Sequence, residues 1–478
     1  MSQFYQNSVC EKEYTYMKPK KSFILMLCSA LLMQTLVFSV TTSANPASSP
    51  SVKDSVYGQN VNEENIDTFA VAQRGFPQHV TYSNGVIKPR VSQANLDQEV
   101  RRLYNEWKAK YVKAHPYKSG RYFVHYNQNA ESTDDPIDAV TVSEAHGYGM
   151  IATAYLAGHD ADAKKLFDGM YRFYRDHPST NHPDLMAWQQ VDRNGAIITT
   201  PNSGGSSATD GDMDIAYALL LAEKQWGNNT GINYGAQAKK MINAIMLKDV
   251  NHTYYHLKLG DWAQDSHAKY GPGTRTSDFM FHHLKVFQTA TGDSRWNQVI
   301  TTTHAARENL YYGYAAQTGL LPDFGIRKGQ YYEPVKPTIP PFLENTDTDG
   351  IYYYNAARIP WRIATDVILT GDTRSKFHLT TLNNWIRTEA NNNPANIHGG
   401  GFYLDGTKYL KSGTYYDLTF TAPFAVSAMT DTNTANKEWL DKLWSNVTAQ
   451  PTNQASYFGN TVRLLSVIVV SGNWWSPN

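Results

Sequence analysis

The sequence has little cysteine and no excess charge of either sign. Its two cysteines, Cys10 and Cys28, both lie close to the N-terminus. The remaining 450 residues after Cys28 therefore offer no disulfide framework, no thiol nucleophile and no thiolate metal site. Its 43 basic and 43 acidic residues give a net charge of zero, and no run of Lys and Arg is interleaved with aromatics. We therefore expect no nucleic-acid partner.

Several catalytic motifs are absent as well. The sequence contains no HExxH, G-x-S-x-G or P-loop pattern. NTDTDG, at 345–350, weakly resembles a calcium-binding loop. It begins with Asn, however, and has Ala356 where that loop needs Glu, so we interpret it as a solvated turn. We interpret the pair His282 and His283 as a helix surface. No metal and no cofactor are expected.

The N-terminus has the features of a secretory signal. Lys18, Lys20 and Lys21 precede an apolar run at 23–40, and small residues, TTSA, follow it up to Ala44. The run is long enough for a membrane anchor, but the small residues after it favour cleavage. We predict a signal over residues 1–44, with Met17 as an alternative start, and an exported protein that has no membrane contact after cleavage.

What the sequence has in abundance is aromatic residues, 13% of the chain, with 32 tyrosines. Tyrosine offers a flat apolar face for stacking and a hydroxyl for hydrogen bonding. Such residues suit a surface that binds a flat polar ligand, although many of them fill the core of any protein.

Two regions follow the signal. Residues 45–93 are rich in Ser, Asn, Val and Pro without a sustained period, and we predict a loosely structured arm there. Residues 94–478 read as one domain of helix-length segments separated by glycines, among them Gly292 and Gly371, each followed by Asp. The predicted helices are 94–115, 141–157, 160–176, 212–226, 234–248, 277–291, 295–312, 354–370, 374–390, 419–429, 435–447 and 460–471.

The hydrophobic patterns of these helices predict how they pack. Segments 212–226 and 460–471 are apolar nearly all round and should be enclosed, whereas 94–115 and 160–176 have one charged face. An inner ring of buried helices inside an outer amphipathic ring satisfies both patterns. We predict an all-α fold, an (α/α)6 barrel of six helical hairpins. A helical bundle or a solenoid is the alternative, but no repeat of fixed period supports a solenoid.

Glu144 is the first candidate for chemistry. It enters a helix in VSEAHGYGMIATAYL, at 142–156, where Gly147 and Gly149 stand in the first turns. Glycine inside a helix costs about 1 kcal/mol relative to alanine, so a close approach by a ligand or a neighbouring helix is expected there. A carboxyl that is partly desolvated on such a surface keeps its proton near neutral pH. The alternative is that Glu144 only caps the helix.

Three aspartates form the second candidate. Asp210, Asp212 and Asp214 crowd the start of a helix that is otherwise apolar. The helix dipole stabilises each carboxylate there by about 0.3–1 kcal/mol, which accounts for one or two of them. We expect the surplus carboxylate to face a ligand at the mouth of the barrel. Two carboxyl groups from different helices, one acid and one base, are typical of glycoside hydrolysis.

Two stretches support this chemistry through a family resemblance. SEAHGYGM and ATDGDMDIAYALLLAEKQW resemble the two signatures of glycoside hydrolase family 8, whose fold is an (α/α)6 barrel. Further segments are similar to its bacterial chitosanase/lichenase branch, and the resemblance runs from about Leu96 to the C-terminus. These segments are LKLGDW, TSDFM, GLLPDF, YYYNAARIPWRIATD, APFAVSAM and SGNWW.

The resemblance implies roles for individual residues. Glu144 would be the general acid, and Asp210 would help to hold the sugar distorted at the cleavage point. Asn355 occupies the site where many members have an aspartate base, and asparagine cannot accept a proton from water. In the chitosanase-like branch a glutamate on an inserted loop is the base, which Glu344 fits, with Glu333 ranked second.

Further residues are expected around the substrate. Ala145 departs from the glycine that this branch shows beside the acid. Arg358 would hold the base or the sugar. The stacking candidates are Trp188, Trp262 and Trp361, each with core packing as the alternative. For cationic chitosan, an acidic cleft would be built from Asp210, Asp212, Asp261, Asp278 and Asp323.

The predicted activity is that of an endo-acting, inverting hydrolase, working as a monomer on a polysaccharide. It would cut β-1,4 bonds in chitosan, in mixed-linkage β-1,3-1,4-glucan, or in both. A cellulase or a xylan-oligosaccharide hydrolase of the same fold is one alternative. A polysaccharide-binding protein without catalysis is the other.

Overall fold

The structure is a computed structural model that describes residues 71–128 and 135–478. The described residues all belong to one compact unit, Glu63–Asn478. The predicted signal at 1–44 and the first part of the predicted arm lie outside the described residues, so both stay predictions. Within the described ranges, no helix is both long and apolar enough to cross a bilayer.

Twelve α-helices lie in the described residues, one for each predicted segment, which confirms a mostly helical fold. They are α1 Gln93–Tyr111, α2 Ser143–Tyr155, α3 Ala163–Asp176, α4 Thr209–Trp226, α5 Tyr234–Lys248, α6 Phe281–Thr291, α7 Arg295–Tyr314, α8 Ile359–Thr370, α9 Lys376–Glu389, α10 Leu418–Ala428, α11 Thr434–Ala449 and α12 Tyr457–Val470.

The helix ends follow the glycine signals. Gly292 and Gly371 end α6 and α8 with φ values of 68° and 73°, in the left-handed region that favours glycine. The starts of the same two helices differ from the prediction. Short 3-10 turns, Thr276–Asp278 and Ala356–Arg358, precede α6 and α8 where continuous helix was predicted. Both turns lie at the candidate site described below.

The even-numbered helices contact one another in chain order. The contacts join α2 to α4, α4 to α6, α6 to α8, α8 to α10 and α10 to α12, and α12 also contacts α2. Each even helix from α2 to α10 packs beside the odd helix that follows it, and α12 packs beside α1. Helices α4, α10 and α12 are buried along nearly their whole length, whereas α1 exposes much of its surface. This difference follows the predicted apolar and amphipathic patterns.

The fold is mostly helical, but it also contains short strands that were not predicted. Eight short strands form three antiparallel sheets in the described residues. They are β1 Val112–Ala114, β2 Tyr122–Val124, β3 Ala139–Val142, β4 Gln189–Arg193, β5 Ala196–Thr199, β6 Gly273–Arg275, β7 Phe324–Lys328 and β8 Tyr331–Pro334. β3 leads directly into α2, and β6 leads into the 3-10 turn before α6, so the sheets help to place the helix starts. Strands of three to five residues carry too little periodicity to be recognised in the sequence.

The described part of the predicted arm, 71–92, has no helix or strand but contacts the helices. Its backbone N–H groups donate to carbonyl groups in or just after the last turns of five even-numbered helices, where such carbonyls have no partner within the helix. These bonds run from Gln73 to Gln225, Phe76 to Ala157, Val80 to Gly472, Ser83 to Ile368 and Ile87 to Met429, at 2.6–3.0 Å. The arm therefore provides hydrogen-bond donors for carbonyl groups at the C-terminal ends of α2, α4, α8, α10 and α12.

Candidate active site

Glu144 and Asp210 lie in the first turns of two neighbouring helices, α2 and α4. Two glycines allow these helices to approach closely. A Cβ at Gly211 would lie 2.3 Å from Ser143 Oγ, and one at Gly147 would lie 2.6 Å from a Cβ of α4. A neighbouring helix, rather than a ligand, thus explains Gly147, and the close packing places both carboxyl groups at the same end of the helix pair.

The guanidinium of Arg358 joins the two carboxyl groups. Its Nη1 donates to Glu144 Oε2 at 2.5 Å and to Asp210 Oδ2 at 2.9 Å. Its Nη2 donates to Asn355 Oδ1 at 3.0 Å and to Ser277 Oγ at 2.9 Å. The side chain is 1% exposed. A buried guanidinium with this many fixed partners acts as a rigid fork that sets their relative positions.

Glu344 reaches the same network through Asn355. Asn355 Nδ2 donates to Glu344 Oε2 at 2.9 Å and to Asp323 Oδ2 at 3.2 Å, while its Oδ1 accepts from Arg358. All three hydrogen bonds are consistent with one orientation of the Asn355 side-chain amide. The structure therefore brings Glu144 and Glu344 into one network through two intermediate side chains.

Asp323 holds the backbone from which Asn355 projects. Its carboxylate accepts from the backbone N–H groups of Tyr353 at 2.9 Å, Asn355 at 3.2 Å and Ala356 at 2.7 Å. Burial and the nearby charge of Glu344 together raise the pKa of Asp323 to about 7, although the three N–H groups favour the charged form. Asp323 was predicted to line an acidic cleft, but it is buried and its oxygens are used inside the protein.

Arg275, at the end of β6, is a site residue that the sequence analysis missed. Its Nη1 lies 3.2 Å from Asp210 Oδ1, and its Nη2 lies 4.0 Å from Glu344 Oε1. The only signal was its position directly before TSDFM, one of the family-like segments. Arg275 and Arg358 together place two positive charges among the carboxylates.

Electrostatics separate the carboxyl groups into different protonation states. Burial raises the pKa of Glu144 to about 7, although Arg358 opposes the shift. Burial alone would also raise the pKa of Asp210, but the charges of Arg275 and Arg358 outweigh it and hold that pKa well below its usual range. Below about pH 7 the site thus holds a mainly protonated Glu144 beside an ionised Asp210. Partial desolvation also raises the pKa of Glu344, whose side chain stays about half exposed, and Arg275 opposes that shift.

The three crowded aspartates have three different sets of partners. Asp210 faces the two arginines of the site. Asp214 accepts from both terminal nitrogens of Arg362, at 2.9 and 2.5 Å, deeper among the helices. Asp212 is fully buried, accepts from the backbone N–H of Met186 at 3.1 Å and lies beside another acidic side chain. Asp212 and Asp214 are therefore engaged within the protein, and Asp210 alone of the three faces the arginines of the site.

Several residues expected to form an acidic cleft for a cationic substrate are therefore engaged within the protein instead. Asp212 was also predicted to bind substrate, and its burial favours a structural role instead. The Asp261 carboxylate accepts hydrogen bonds from the backbone N–H of Ser207 at 2.8 Å and from Asn181 Nδ2 at 3.0 Å. Asp278 is fully buried within the 3-10 turn before α6, and burial raises its pKa to about 7. A substrate contact by Asp278 stays a prediction.

Two of the three predicted stacking tryptophans are partly exposed. The carbonyl of Trp188 accepts from the backbone N–H of Ser143 at 2.8 Å, which places it beside the start of α2. Trp262 packs edge-on against Tyr270, with ring centroids 5.0 Å apart. Trp361 is 1% exposed, so stacking on a substrate is wrong for this residue and core packing is the explanation.

The structure also separates the two candidate bases. Glu333 lies on β8 and forms a loose ion pair with Lys328 at 3.8 Å, whereas Glu344 is bonded to Asn355. The base role of Glu344 stays a prediction, and its position within the network favours it over Glu333.

Two interpretations of possible metal-site motifs need correction. His282 and His283 are buried, not on a helix surface, and His283 Nε2 lies 3.1 Å from Asp214 Oδ1. In NTDTDG, Asp347 is partly exposed and Asp349 is buried, so the interpretation as a solvated turn fits only part of the segment. The described residues contain no group of three or more His, Cys, Asp or Glu side chains placed to hold a metal ion.

Comparisons with known proteins find a matching family model and several similar chains. Residues 103–472 match the family model described as "Glycosyl hydrolases family 8". The chain is 46% identical over 409 residues to a "Beta-glucanase" of Niallia circulans, covering 85% of this chain and 93% of that protein. It is 36% identical over 421 residues to an "Endoglucanase" of Bacillus sp. (strain KSM-330), covering 87% and 85%. Among solved structures, the apo "Beta-1,3-1,4-glucanase" from Paenibacillus sp. X4 is 44% identical with a TM-score of 0.77, covering 85% of this chain and all of that one.

Proposed function

The chain belongs to glycosyl hydrolase family 8 and is a glycoside hydrolase of the endo-β-glucanase type, and from that premise we propose that it is an inverting enzyme that cuts β-1,4 bonds within mixed-linkage β-1,3-1,4-glucan. One observation carries this proposal. Glu144, with a pKa raised to about 7, and Glu344 belong to one hydrogen-bond network built on Arg358 and Asn355.

The proposed reaction uses the two glutamates in opposite roles. The Glu144 carboxyl gives its proton to the glycosidic oxygen as that bond breaks. The Glu344 carboxylate takes a proton from water, and the water attacks the anomeric carbon from the opposite face of the sugar through an oxocarbenium-like transition state. Both carboxyl groups must stand about 6.5–9.5 Å apart to leave room for that water.

The remaining residues of the network hold this arrangement. Asp210 stays ionised beside two arginines and helps to hold the distorted sugar at the cleavage point. Asn355 cannot take a proton from water, and it holds the Glu344 carboxylate through its Nδ2 group instead. Arg358 opposes the raised pKa of Glu144, so that the proton is held but can be released.

The names of the relatives support a neutral glucan as the substrate. Two similar proteins, at 44% and 46% identity, are named for β-glucan hydrolysis. Chitosan, the other substrate predicted from the sequence, carries ammonium groups and needs accessible carboxylates. The acidic side chains expected to supply them, such as Asp261 and Asp323, are buried and bonded within the protein. Chitosan is therefore the second candidate, resting on the family resemblance alone.

Three further features belong to the proposal. The ordered contacts of the even helices, which return from α12 to α2, support closure into an (α/α)6 barrel over residues 94–478. The charged and apolar segments at 18–44 support export from the cell. We also propose that the enzyme acts as a monomer.

A comparison of substrates and variants tests the function. Wild type should release reducing sugar and shorter oligosaccharides from barley-type β-glucan faster than from chitosan, cellulose or xylan. Glu144→Gln and Glu344→Gln should each lose most turnover while still binding glucan oligosaccharides. Full binding without any hydrolysis by the wild type would indicate a binding protein, and faster cleavage of chitosan, cellulose or xylan would overturn the proposed substrate.

A further inference from the structure

The segment that carries Glu344 has no regular structure of its own. Residues 335–350 follow β8 and contain neither helix nor strand. A general base must nevertheless be held within a fraction of an ångström of its working position. Side-chain contacts from other residues must supply the rigidity that this segment lacks.

The buried carboxylate of Asp349 organises the backbone around Glu344. Its Oδ2 accepts from the N–H of Leu343 at 2.7 Å and its Oδ1 from the N–H of Asn345 at 2.8 Å, and both oxygens lie 3.2 Å from the N–H of Glu344. Three consecutive N–H groups thus converge on one carboxylate that is 3% exposed. Such a concave set of amides binds an anion well, and bonds to an ionised acceptor are the stronger kind.

The same aspartate ties the segment to β7. The backbone N–H of Phe324 donates to the Asp349 carbonyl at 2.9 Å. Phe324 directly follows Asp323, which holds Asn355, and Asn355 in turn holds the Glu344 carboxylate. The backbone and the side chain of Glu344 are therefore both fixed from two adjacent residues at the start of β7.

We propose that Asp349 is a positioning residue for Glu344, acting through the backbone N–H groups of residues 343–345; this inference rests on the proposed role of Glu344 as the general base. Without the Asp349 carboxylate, the three N–H groups lose their common acceptor and the backbone of Glu344 can shift. A misplacement of about 1 Å in a catalytic group costs on the order of 100-fold in rate.

The test compares variants of the full chain. Asp349→Ala removes the acceptor, and Asp349→Asn keeps one oxygen that can still accept. Asp347→Asn is the matched control, because Asp347 lies in the same segment but its side chain is 44% exposed and paired with Lys411 at 2.8 Å. For each variant, kcat and KM on barley-type β-glucan are measured on the plateau of its own pH profile, and Tm is measured beside them.

We expect kcat to fall by about 10- to 100-fold in Asp349→Ala, with KM within about twofold of wild type because ground-state binding is retained. Asp349→Asn should fall between Asp349→Ala and wild type, and Asp347→Asn should match wild type. A kcat of Asp349→Ala equal to that of Asp347→Asn would overturn the inference, as would a loss of kcat that appears only together with a raised KM and an early thermal transition. If Asp349→Ala does not fold, the same criteria apply to Asp349→Asn.

Glu344→Gln separates this inference from the proposed function. If Glu344→Gln keeps wild-type kcat, the base assignment is wrong and the inference about Asp349 fails with it. If Glu344→Gln is inactive and both Asp349 variants keep wild-type kcat, the base assignment stands and only the positioning role is wrong.

Discussion

Replacing Arg275 by Gln should move the whole pH profile of kcat/KM to higher pH. The Arg275 charge opposes the raised pKa of both Glu144 and Glu344. Without that charge, both carboxyl groups hold their protons to higher pH. The acidic limb, set by the base Glu344, and the basic limb, set by the acid Glu144, therefore shift in the same direction.

The distance sets the size of this shift. Arg275 Nη2 lies 4.0 Å from Glu344 Oε1. Two unit charges about 4 Å apart interact by about 4 kcal/mol at an effective dielectric of about 20 and by about 1 kcal/mol in water. At about 1.4 kcal/mol for each pKa unit, these limits correspond to about three units and just under one. The Glu344 side chain is 51% exposed, so solvent screening favours the lower limit and we expect about one unit.

The assay is kcat/KM on barley-type β-glucan across the range in which the wild type is stable. Arg275→Lys is the control, since it keeps the charge while losing the planar geometry, and its limbs should move much less. Limbs of Arg275→Gln that coincide with those of the wild type, or that move to lower pH, would refute the electrostatic reasoning.

Three further predictions concern stability. Gly211→Ala should destabilise the protein by about 1–3 kcal/mol, because its Cβ would lie 2.3 Å from a side-chain oxygen of α2. Gly313→Ala, which adds a Cβ in open space at the end of α7, should be neutral or stabilising. Denaturant unfolding measures the unfolding free energy of both variants. Burial, together with the neighbouring Asp212, raises the pKa of Asp249 well above its ordinary value. The contribution of Asp249 to stability is therefore full below the pKa of the unfolded state and is lost as pH rises through the pKa of the folded state. The Tm of Asp249→Asn should accordingly rise relative to that of wild type as pH increases. Gln225→Ala removes an amide that bonds the arm in both directions, at 2.8 and 3.0 Å, and should cost about 1–3 kcal/mol, with faster proteolysis of residues 71–92.

Each of these has an outcome that contradicts it. Equal unfolding free energies for Gly211→Ala and Gly313→Ala would show that the helices can separate without cost. A Tm difference between Asp249→Asn and wild type that does not change with pH would contradict the raised pKa. Unchanged proteolysis of the arm in Gln225→Ala would mean that the other backbone bonds are enough to hold it.

The helices could be predicted from the sequence because each combines a strong hydrophobic pattern with clear end signals. The site was predicted in part. Glu144, Asp210, Asn355, Arg358 and Glu344 meet in one network. The family-like segments contain the first four, and Glu344 was predicted from the inserted loop that carries the base in the chitosanase-like branch. Their meeting depends on the approach of α2 to α4 and on two 3-10 turns, which local patterns do not reveal.

The failures have a common physical cause, since the partners of buried charges are distant in sequence. Asp212 looks like Asp210 in the sequence, but the two aspartates face different partners after folding. Arg275 has no pattern of its own and gains its place through the pairing of β6 with β7. Asp349 was interpreted as part of a solvated turn because its three N–H partners become apparent only in the folded segment.

The central claim is that Glu144 gives a proton while Glu344 activates a water on the opposite face of the sugar. The most direct measurement is proton NMR of the newly formed reducing end during the first minutes of β-glucan hydrolysis, before mutarotation. The account predicts that the α-anomer appears first, with inverted configuration. Initial formation of the β-anomer would show retention and would contradict the assigned roles of Glu144 and Glu344.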